Sequence, residues 1–342
     1  MHRPDQFYTG KKTAYLDHNI LNYFVRYPKE PAFAEIFKES QVIYSDETLR
    51  EIKRSKGSED ALLKALMNLG AMHLKPYTDE NFEITGEAIL TEADIYFEYA
   101  RTCNESLLTE KINSATQRTL QKFYGSNETA SISQLADQQS KEFEDTFKSL
   151  LDDLSSAQVS PEQLSRIKNY ISRQISEHAR LQQASTNMMQ HYQENPIKAV
   201  VKSYRDSVGI GPLELNNLTA PNIIEKIWDL HQPLPGYKEH NFTIEDFLGL
   251  SLIPKNLNGN VQTYNKIISI YNVLNVIGYW NDSNMKQSRR FTASMSDANH
   301  VALASFTDSL YSSDISLINK AKVIYEYLNA HTNACKIVVN FL

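Results

Sequence analysis

The segment 296-SDANHVALASFTDSLYSSD-314 places acidic residues at the joints between two regular elements. Its first part, DANHVALASF, predicts a helix that Asp297 opens, because apolar residues recur there at helical spacing. Residues 309–313 predict a short strand, and Asp314 follows that strand directly. An alternation of helix and strand is typical of an α/β protein with a mostly parallel sheet.

The other end of the chain shows the same alternation. Residues 13–16 predict a strand that Asp17 ends, and residues 41–45 predict a second strand, followed by a helix that carries Glu51. Further predicted elements are strands at 72–76 and 336–341 and a long helix at 85–101. Both ends of the chain therefore contribute to one predicted sheet flanked by helices.

The middle of the chain has a different character. Residues 105–205 are polar, almost free of Gly and Pro, and carry apolar stripes that predict long helices, each burying a single face. We predict a discontinuous α/β domain of residues 1–102 and 290–342, interrupted by an all-α insertion of residues 103–289. An insertion of this kind is expected to mediate assembly with a partner protein or a second copy of the chain, because each apolar stripe must bury itself against something.

Composition sets limits on the class of protein. The chain has 342 residues, 41% of them hydrophobic, and a formal net charge of −6. No apolar run approaches the roughly 20 residues of a membrane span, and the first residues lack the apolar stretch of a signal peptide, so the expected location is the cytoplasm. Cys103 and Cys335 are too few for a disulfide framework or a zinc cluster. The negative charge argues against a broad nucleic-acid footprint, but a carboxylate site makes its own vicinity negative.

Four acids lie where a metal site would form. Asp17 and Asp314 each follow a predicted strand, while Glu51 and Asp297 lie near predicted helix starts. In an open parallel sheet, ligands gather outside the carboxyl ends of the strands. Clustered carboxylates repel one another, and a bound divalent cation offsets that repulsion. Oxygen ligands are those that Mg²⁺ and Mn²⁺ select, so the four acids together predict a site for one or two such ions.

Each acid taken alone has a simpler interpretation. Asp17 and Asp297 would serve as helix N-caps, Asp314 as a loop or cap residue, and Glu51 as a solvated carboxylate. Glu47 competes with Glu51 for the second acidic position. Glu51 is preferred because the pattern Leu-x-Glu-Ile sets it between apolar positions.

Three segments carry a resemblance to a known family. They are YLDHNIL at 15–21, SDETLREI at 45–52 and SDANHVALASFTDSLYSSD at 296–314. The last shows an Asp-x-x-His pattern, an Ala-rich helix and a strand that ends in a hydroxyl residue and an Asp, with Ser312 where Thr is commoner. The chain resembles the PIN-domain ribonucleases over roughly 1–102 and 290–342, but not in the middle.

The resemblance implies a PIN-like nuclease that uses Mg²⁺ or Mn²⁺ to cut nucleic acid, with RNA favoured over DNA and endonucleolytic cleavage expected. In such a nuclease the helical insertion is expected to restrict substrate access or to recognise a structured RNA, if it does not mediate assembly. Elaborated nucleases of this kind are, by analogy, toxins or defence effectors. The implied ligands are Asp17 and Asp297, with Glu51 acting through water or as a general base and Asp314 in an outer position. The implied supporting residues are Asn19, Ser312 and His300, the last of them structural or next to the substrate.

Two basic groups lie near the acids. Arg50, Lys53 and Arg54 flank Glu51, and Arg289 and Arg290 precede Asp297. Either group would steer phosphates toward a metal, although a solvated charged face is the alternative interpretation.

Two other functions stay open from the sequence. The first is a catalytically inactive PIN-like scaffold whose helical region binds a partner protein. The second is a metal-independent ribonuclease, because Arg173 and His178 match the Arg-x4-His pattern of the HEPN ribonucleases. In that chemistry a cation stabilises the phosphorane while the histidine moves protons. His178 also falls on an apolar stripe, which favours a structural role.

Overall fold

The structure, a computed structural model, describes residues 8, 10–80, 82–126, 128–156, 160–190, 200–256 and 259–338. Within these ranges, the described side chains exclude those of residues 32, 105–116, 119, 132, 153, 155, 156, 178 and 181–190.

A mostly parallel sheet forms the centre of the fold. Its six strands in the described chain are β1 (Lys12–Leu16), β2 (Ser40–Ser45), β3 (Met72–Thr78), β4 (Ile84–Thr91), β5 (Ser309–Ser312) and β6 (Asn333–Lys336). They join in the order β4-β3-β2-β1-β5-β6, with β3 and β4 antiparallel and the other neighbours parallel. The central strand β1, from the start of the chain, therefore pairs with β5 from its end.

Helices connect and cover the strands. Before the polar middle they are α1 (His18–Arg26), α2 (Pro31–Glu39), α3 (Asp46–Arg54), α4 (Glu59–Asn68) and α5 (Ile95–Phe123). The middle contains α6 (Ile132–Ser156), α7 (Pro161–Gln190), α8 (Val200–Val208), α9 (Pro212–Leu215), α10 (Ile223–His231), α11 (Pro235–Glu239), α12 (Ile244–Phe247) and α13 (Thr263–Ile277). The last two are α14 (Ser288–Ala304) and α15 (Ile315–Tyr327).

Two apolar clusters lie on opposite faces of the sheet. Side chains alternate along a strand, so Tyr15 and Ile43 belong to one cluster while Leu16, Val42 and Tyr44 belong to the other. Residues of α10, α13, α14 and α15 join the first cluster, and residues of α1, α3 and α4 join the second. Burial on both faces explains the continuous apolar character of the central strands.

The predicted helix at 85–101 is wrong in its first half. Residues Ile84–Thr91 form strand β4, and helix α5 begins only at Ile95. Lys75 and Ile89 are register partners in the β3–β4 hairpin. Backbone pairing with a preceding strand thus overrides the local helical pattern, because the hairpin satisfies the backbone groups of this segment.

The C-terminal elements also differ in their bounds. Helix α14 begins at Ser288, nine residues before Asp297, so Asp297 does not open it. The last described strand is Asn333–Lys336 rather than 336–341, and residues 339–342 lie outside the described chain. The strand predicted at 309–313 is confirmed as β5, one residue shorter.

The helical middle meets the sheet directly. Helix α5 runs without interruption across the predicted boundary at 102, and α14 runs across the boundary at 289. Apolar residues of α10 and α13 share the first cluster with Tyr15 and Leu310 of the sheet. This part of the middle therefore packs on the α/β core, and the division into two domains stays a prediction. None of the described helices is both long enough and apolar enough to span a membrane.

Candidate metal site at the carboxyl edge of the sheet

The candidate site lies where the central strands end. Asp17 follows β1, Ser312 ends β5, and Ser45 ends β2 and caps helix α3. Helix α3 carries Glu51, and helix α14 brings His300 to the same edge. The parallel arrangement explains the meeting, because it turns the carboxyl ends of neighbouring strands to one side.

Asp17 is held by groups that the resemblance singled out. Its Oδ2 accepts hydrogen bonds from Ser312 Oγ at 2.5 Å and from the side-chain amide of Asn19. Asn19 also donates to Ser312 Oγ at 3.0 Å. Asp17 occupies the N-cap position of α1, but its carboxylate makes no capping hydrogen bond. The capping interpretation therefore does not account for this side chain, which points its acceptor at the end of β5 instead.

The carboxyl group of Asp17 is buried among charges. Only 4% of the residue is exposed. Burial raises the pKa of Asp17 to about 6, against the opposing effect of His300 and together with the repulsion of Glu51. Keeping a carboxyl group with such a pKa ionised at neutral pH costs free energy of folding, and a nearby cation would offset that cost.

His300 joins helix α3 to strand β1. Its Nε2 lies 2.9 Å from Oε2 of Glu51, and its Nδ1 lies 2.8 Å from the hydroxyl of Tyr15. The Tyr15 hydroxyl also lies 2.6 Å from Ser45 Oγ. Burial alone would lower the pKa of His300, but Tyr15 and Glu51 outweigh it and raise the pKa well above its usual value. The sequence prediction of a structural or substrate-adjacent histidine is consistent with this contact.

Glu51 is kept ionised by its neighbours. Burial would raise its pKa, but His300, then His18 and Arg54, lower the pKa to about 2. His18 Nδ1 lies 3.9 Å from Glu51 Oε2 and has no hydrogen-bond partner in the described chain. Asp17, Glu51 and His300 each offer a ligand atom, and these atoms lie within 4.8 Å of one another. Of the predicted acids, the structure thus brings Asp17 and Glu51 together.

Asp297 lies beside this group rather than at a helix start. It is in the second half of α14, one turn before His300, so the helix-cap interpretation of Asp297 is wrong. Burial raises the pKa of Asp297 well above its usual value, and Asp17, Asp282 and Glu51 add to the effect. Within the described chain its carboxylate has no hydrogen bond or ion pair. An acid in this position is costly unless a cation or a proton joins it.

Asp314 behaves as the simpler interpretation predicts. It is the N-cap of α15, and its Oδ1 accepts hydrogen bonds from the backbone N–H groups of Ser316 and Leu317 at 2.7 and 3.1 Å. The residue is exposed. It is close enough to raise the pKa of Asp17 by repulsion, so it contributes charge to the rim of the site.

Glu47 is engaged by arginines, which favours Glu51 as the second acid. The Glu47 carboxylate, 5% exposed, lies 3.3 Å from Arg50 and 3.1 Å from Arg54. It also accepts a 2.5 Å hydrogen bond from Ser296. Two cations therefore already balance Glu47. Arg54 extends from this contact to within 3.5 Å of Glu51 and keeps 40% of its side chain exposed.

The remaining predicted phosphate-binding residues are spread around the site. Lys53 is half-buried on α3, whereas Arg289 and Arg290 are exposed in the first turn of α14. Arg290 lies two turns before Asp297, on the same side of the helix. The structure thus places Lys53 on the helix that carries Glu51, and Arg289 and Arg290 on the helix that carries Asp297.

A buried ion pair supports the site from behind, and the sequence analysis did not identify it. Lys320 is fully buried, and its Nζ lies 2.8 Å from both Asp282 Oδ1 and Asn275 Oδ1. Asp282 Oδ2 accepts a 2.6 Å hydrogen bond from Ser294, one turn before Asp297. Lys320 is also close enough to lower the pKa of Asp297.

Signals for these residues were present but weak. Lys320 interrupts the apolar stripe of ISLINKAKVIYEY, between Leu317 and Ile324. A lysine on a buried face needs a partner, so this position could have indicated an internal ion pair. Tyr15 and His18 flank Asp17 in the sequence, but nothing local indicates that Tyr15 reaches His300 across 285 residues.

A second acidic cluster lies at the ends of β2 and β3. Asp46, His73 and Glu98 each offer a ligand atom within 4.8 Å of one another. Arg101 contacts Asp46 at 2.9 Å and Glu98 at 2.7 Å, and Lys75 contacts Glu98 at 2.9 Å. Two cations thus neutralise the two carboxylates, which explains the cluster as an internal ion-pair network tying α5 to α3.

The HEPN pattern lies on α7, a helix that carries none of these acids. Arg173 forms an ion pair of 2.5 Å with Glu83 in the β3–β4 turn, and it lies over the ring of Tyr170. The side chain of His178 lies outside the described residues. The Arg173–Glu83 contact gives Arg173 a structural role, and the catalytic interpretation of the pair stays untested.

Comparison with known proteins does not assign the chain to a family. It matches no protein-family model, no curated protein and no solved structure among those searched.

Proposed function

We propose that this protein is a divalent-metal-dependent phosphodiesterase that cleaves RNA endonucleolytically. The observation that carries the proposal is the pair of acids Asp17 and Asp297: burial raises both pKa values, and repulsion from the third acid, Glu51, adds to both shifts. Such a pair destabilises the fold unless a cation binds there. Strongly shifted pKa values in a cleft are common at functional sites.

The side chains present fit a divalent cation. Oxygen atoms from Asp17 and Glu51 and a nitrogen from His300 lie within 4.8 Å of one another, while the Asp297 carboxylate lacks a partner in the described chain. Carboxylate oxygens suit Mg²⁺ and Mn²⁺. Asp17, Glu51 and Asp297 would hold the ion, with His300 adjacent.

The ion, when bound, would activate a water molecule and neutralise charge on the phosphate. The protein supplies orientation. Ser312 and Asn19 fix the Asp17 carboxylate through hydrogen bonds to Oδ2, and His300 fixes Glu51 through Oε2. Hydrogen-bonded ligands of this kind keep their geometry and their affinity for metal.

Arg54 would bind the substrate backbone. It is anchored by Glu47 at 3.1 Å, approaches Glu51 at 3.5 Å and stays 40% exposed. A phosphate diester that reaches Glu51 would therefore pass a fixed guanidinium, which forms strong hydrogen bonds with phosphate oxygens. The choice of RNA over DNA rests on the resemblance to the PIN-domain ribonucleases.

The decisive experiment incubates the full chain with RNA and DNA oligonucleotides in Mn²⁺, Mg²⁺ or EDTA. We expect cleavage of RNA with the ions, no cleavage in EDTA, and loss of activity in Asp17→Asn. The matched control is Asp229→Asn, because Asp229 is an exposed residue of α10. Cleavage that survives EDTA would overturn the proposal and favour the HEPN chemistry. No cleavage, together with no ion-dependent rise in melting temperature, would favour the inactive scaffold.

A further inference from the structure

A separate cavity of about 680 Å³ opens beside the start of α14. Its walls come from α8, from the loop 209–212, from the end of α5 and from the loop 281–286 that leads into α14. Cavities of 300–1,000 Å³ are the usual size of small-molecule sites. The cavity is thus far larger than an inorganic ion needs.

The charges of the walls leave an excess of positive charge. The two wall acids are already paired, Asp206 with Lys202 at 2.7 Å and Asp282 with Lys320 at 2.8 Å. The wall cations Arg205 and Lys286 have no carboxylate partner in the described chain. An anionic ligand would therefore meet two cations whose charge is not yet compensated.

Arg205 is held in a fixed orientation. Its Nε donates to the carbonyl of Val276 at 2.7 Å, and one Nη donates to the carbonyl of Asn275. Burial lowers the pKa of Arg205. Gly278, with φ of +104°, ends α13, and a Cβ there would lie 3.0 Å from Pro212 Cγ, so a larger residue would crowd the chain at 209–212 beside Arg205. The other Nη forms no bond with a described residue, so it is available to a ligand.

The other wall groups suit a heterocyclic base. Tyr124 offers an aromatic ring, Ile210 and Met285 offer apolar surface, and Asn281 and Asn284 offer amides that both donate and accept hydrogen bonds. Base rings stack on aromatic side chains, and their edges pair with amides. Arg205 and Lys286 would bind a phosphate group, and the aromatic and amide groups beside them would bind a base. Together they suit a nucleoside phosphate.

The cavity shares one wall residue with the buried ion pair that lies near Asp297. Asp282 is a wall residue, and its carboxylate contacts Ser294 and Lys320, behind Asp297. We propose that this cavity binds a nucleoside phosphate, namely the substrate nucleotide next to the cleaved bond. This assignment to the substrate strand rests on the proposed nuclease function, whereas binding of the nucleotide itself does not. A free nucleotide offers the same chemistry and is the alternative source.

Calorimetry with nucleoside monophosphates tests the binding step on the full chain. Two variants remove the proposed contacts. Lys286→Gln removes an exposed charge, and Gly211→Leu fills the cavity, since Gly211 lies in its wall and a Cβ there meets no atom within 4 Å. We expect each variant to weaken binding about tenfold or more, because a charge-assisted phosphate contact or the ligand volume is lost.

Matched controls separate binding from folding. Lys238→Gln removes an exposed charge elsewhere, and Gly236→Leu places a side chain in open space on α11. Both controls are expected to bind as the wild type does. If Gly211→Leu does not fold, Lys286→Gln decides, because that side chain is exposed. No binding of any monophosphate, or equal binding by Lys286→Gln and the wild type, overturns the proposal.

The source of the nucleotide is tested separately. Asp17→Asn should bind the monophosphate as the wild type does. Binding in the cavity is thus tested independently of whether the carboxylate site cuts RNA. If the nucleotide belongs to the substrate strand, Gly211→Leu should raise the KM for an RNA oligonucleotide about tenfold, and free monophosphate should compete with the oligonucleotide. Binding of the monophosphate without competition would overturn the strand assignment and identify a free nucleotide as the ligand.

Discussion

The Nε2 atom of His300 lies 2.9 Å from Oε2 of Glu51, although 249 residues separate them in the chain. The contact joins the N-terminal and C-terminal parts of the α/β fold at the edge where the candidate metal site lies. It also divides the acids into two kinds. The positive charges around Glu51, His300 first among them, together outweigh burial and keep it ionised, whereas burial outweighs the nearby cations at Asp17 and Asp297 and raises both pKa values.

The first prediction is that two isosteric substitutions have opposite effects on stability without divalent ions. The folded-state pKa of Asp17 rises from 3.8 to about 6, so its favourable contribution is full below pH 3.8 and is lost as the pH rises through about 6. At pH 7.5 this ionised acid costs on the order of 3 kcal/mol. Asp17→Asn should therefore raise the free energy of unfolding in EDTA.

Glu51→Gln should act in the opposite direction. The pKa of Glu51 falls from 4.5 to about 2, so its contribution is present above pH 4.5 and is lost as the pH falls toward 2. Losing it at pH 7.5 should cost on the order of 3 kcal/mol. Urea unfolding of both variants at pH 7.5 measures the difference. Destabilisation by Asp17→Asn would show that its carboxylate is not under strain.

The second prediction concerns Asp314. Its Oδ1 caps α15, and Asn is as good an N-cap as Asp. Asp314→Asn should keep both the fold and most of the cleavage activity, while Asp314→Ala should lose about 1 kcal/mol of stability through the missing cap. Activity and urea unfolding of the two variants check this. If Asp314→Asn lost activity as completely as Asp17→Asn, then Asp314 would be a direct ligand.

The third prediction concerns the hydroxyl of Tyr15. Tyr15→Phe leaves His300 Nδ1 without its 2.8 Å partner and should cost about 1–3 kcal/mol of stability. A less firmly held His300 would also loosen Glu51, so the affinity for Mn²⁺ should fall about 10–100-fold. Titration of Mn²⁺ followed by melting temperature measures this affinity.

Tyr325→Phe is the control for that experiment. Tyr325 is a buried tyrosine of the same core, and its hydroxyl donates to the carbonyl of Val301 at 2.7 Å without touching His300. It should lose stability but keep the affinity for Mn²⁺. Equal losses of affinity in both variants would mean that the effect comes from general loosening of the core.

The sequence predicted the central strands well because their residues are buried on both faces. Leu16 and Val42 face one cluster while Tyr15 and Ile43 face the other, which produces the apolar runs that local pattern reading detects. The helix predicted from residue 85 is wrong over residues 85–91, which belong to strand β4. That strand exists because of its partner β3, and local sequence does not encode that partner.

For the site, the sequence predicted which types of residue take part and that they lie at the ends of strands and helices. It did not predict their contacts. Asp17 and Glu51 could be expected at one edge, because the ends of parallel strands meet. Asp297 lies inside α14 because the helix also includes residues 288–296, whereas the sequence pattern predicted a helix that begins at Asp297. The pairing of Lys320 with Asp282 depends on long-range packing of α13, α14 and α15, for which the sequence offers no spacing rule.

The last prediction tests the buried pair behind the site. Lys320→Met leaves the half-buried Asp282 without its cation, and removal of one partner from a buried pair costs about 3–5 kcal/mol. The double variant Lys320→Met/Asp282→Asn should cost less than the sum of the single variants, with a coupling of roughly 0.5–3 kcal/mol, because the second change removes the charge that the first left unpaired. Urea unfolding of the wild type, the two single variants and the double variant gives the coupling. The exposed pair Lys148–Glu144 is the control and should show no measurable coupling, since water screens it. Additive costs for Lys320 and Asp282 would show that the ion pair does not act as a unit, and the support it provides beside Asp297 would then have to come from packing alone.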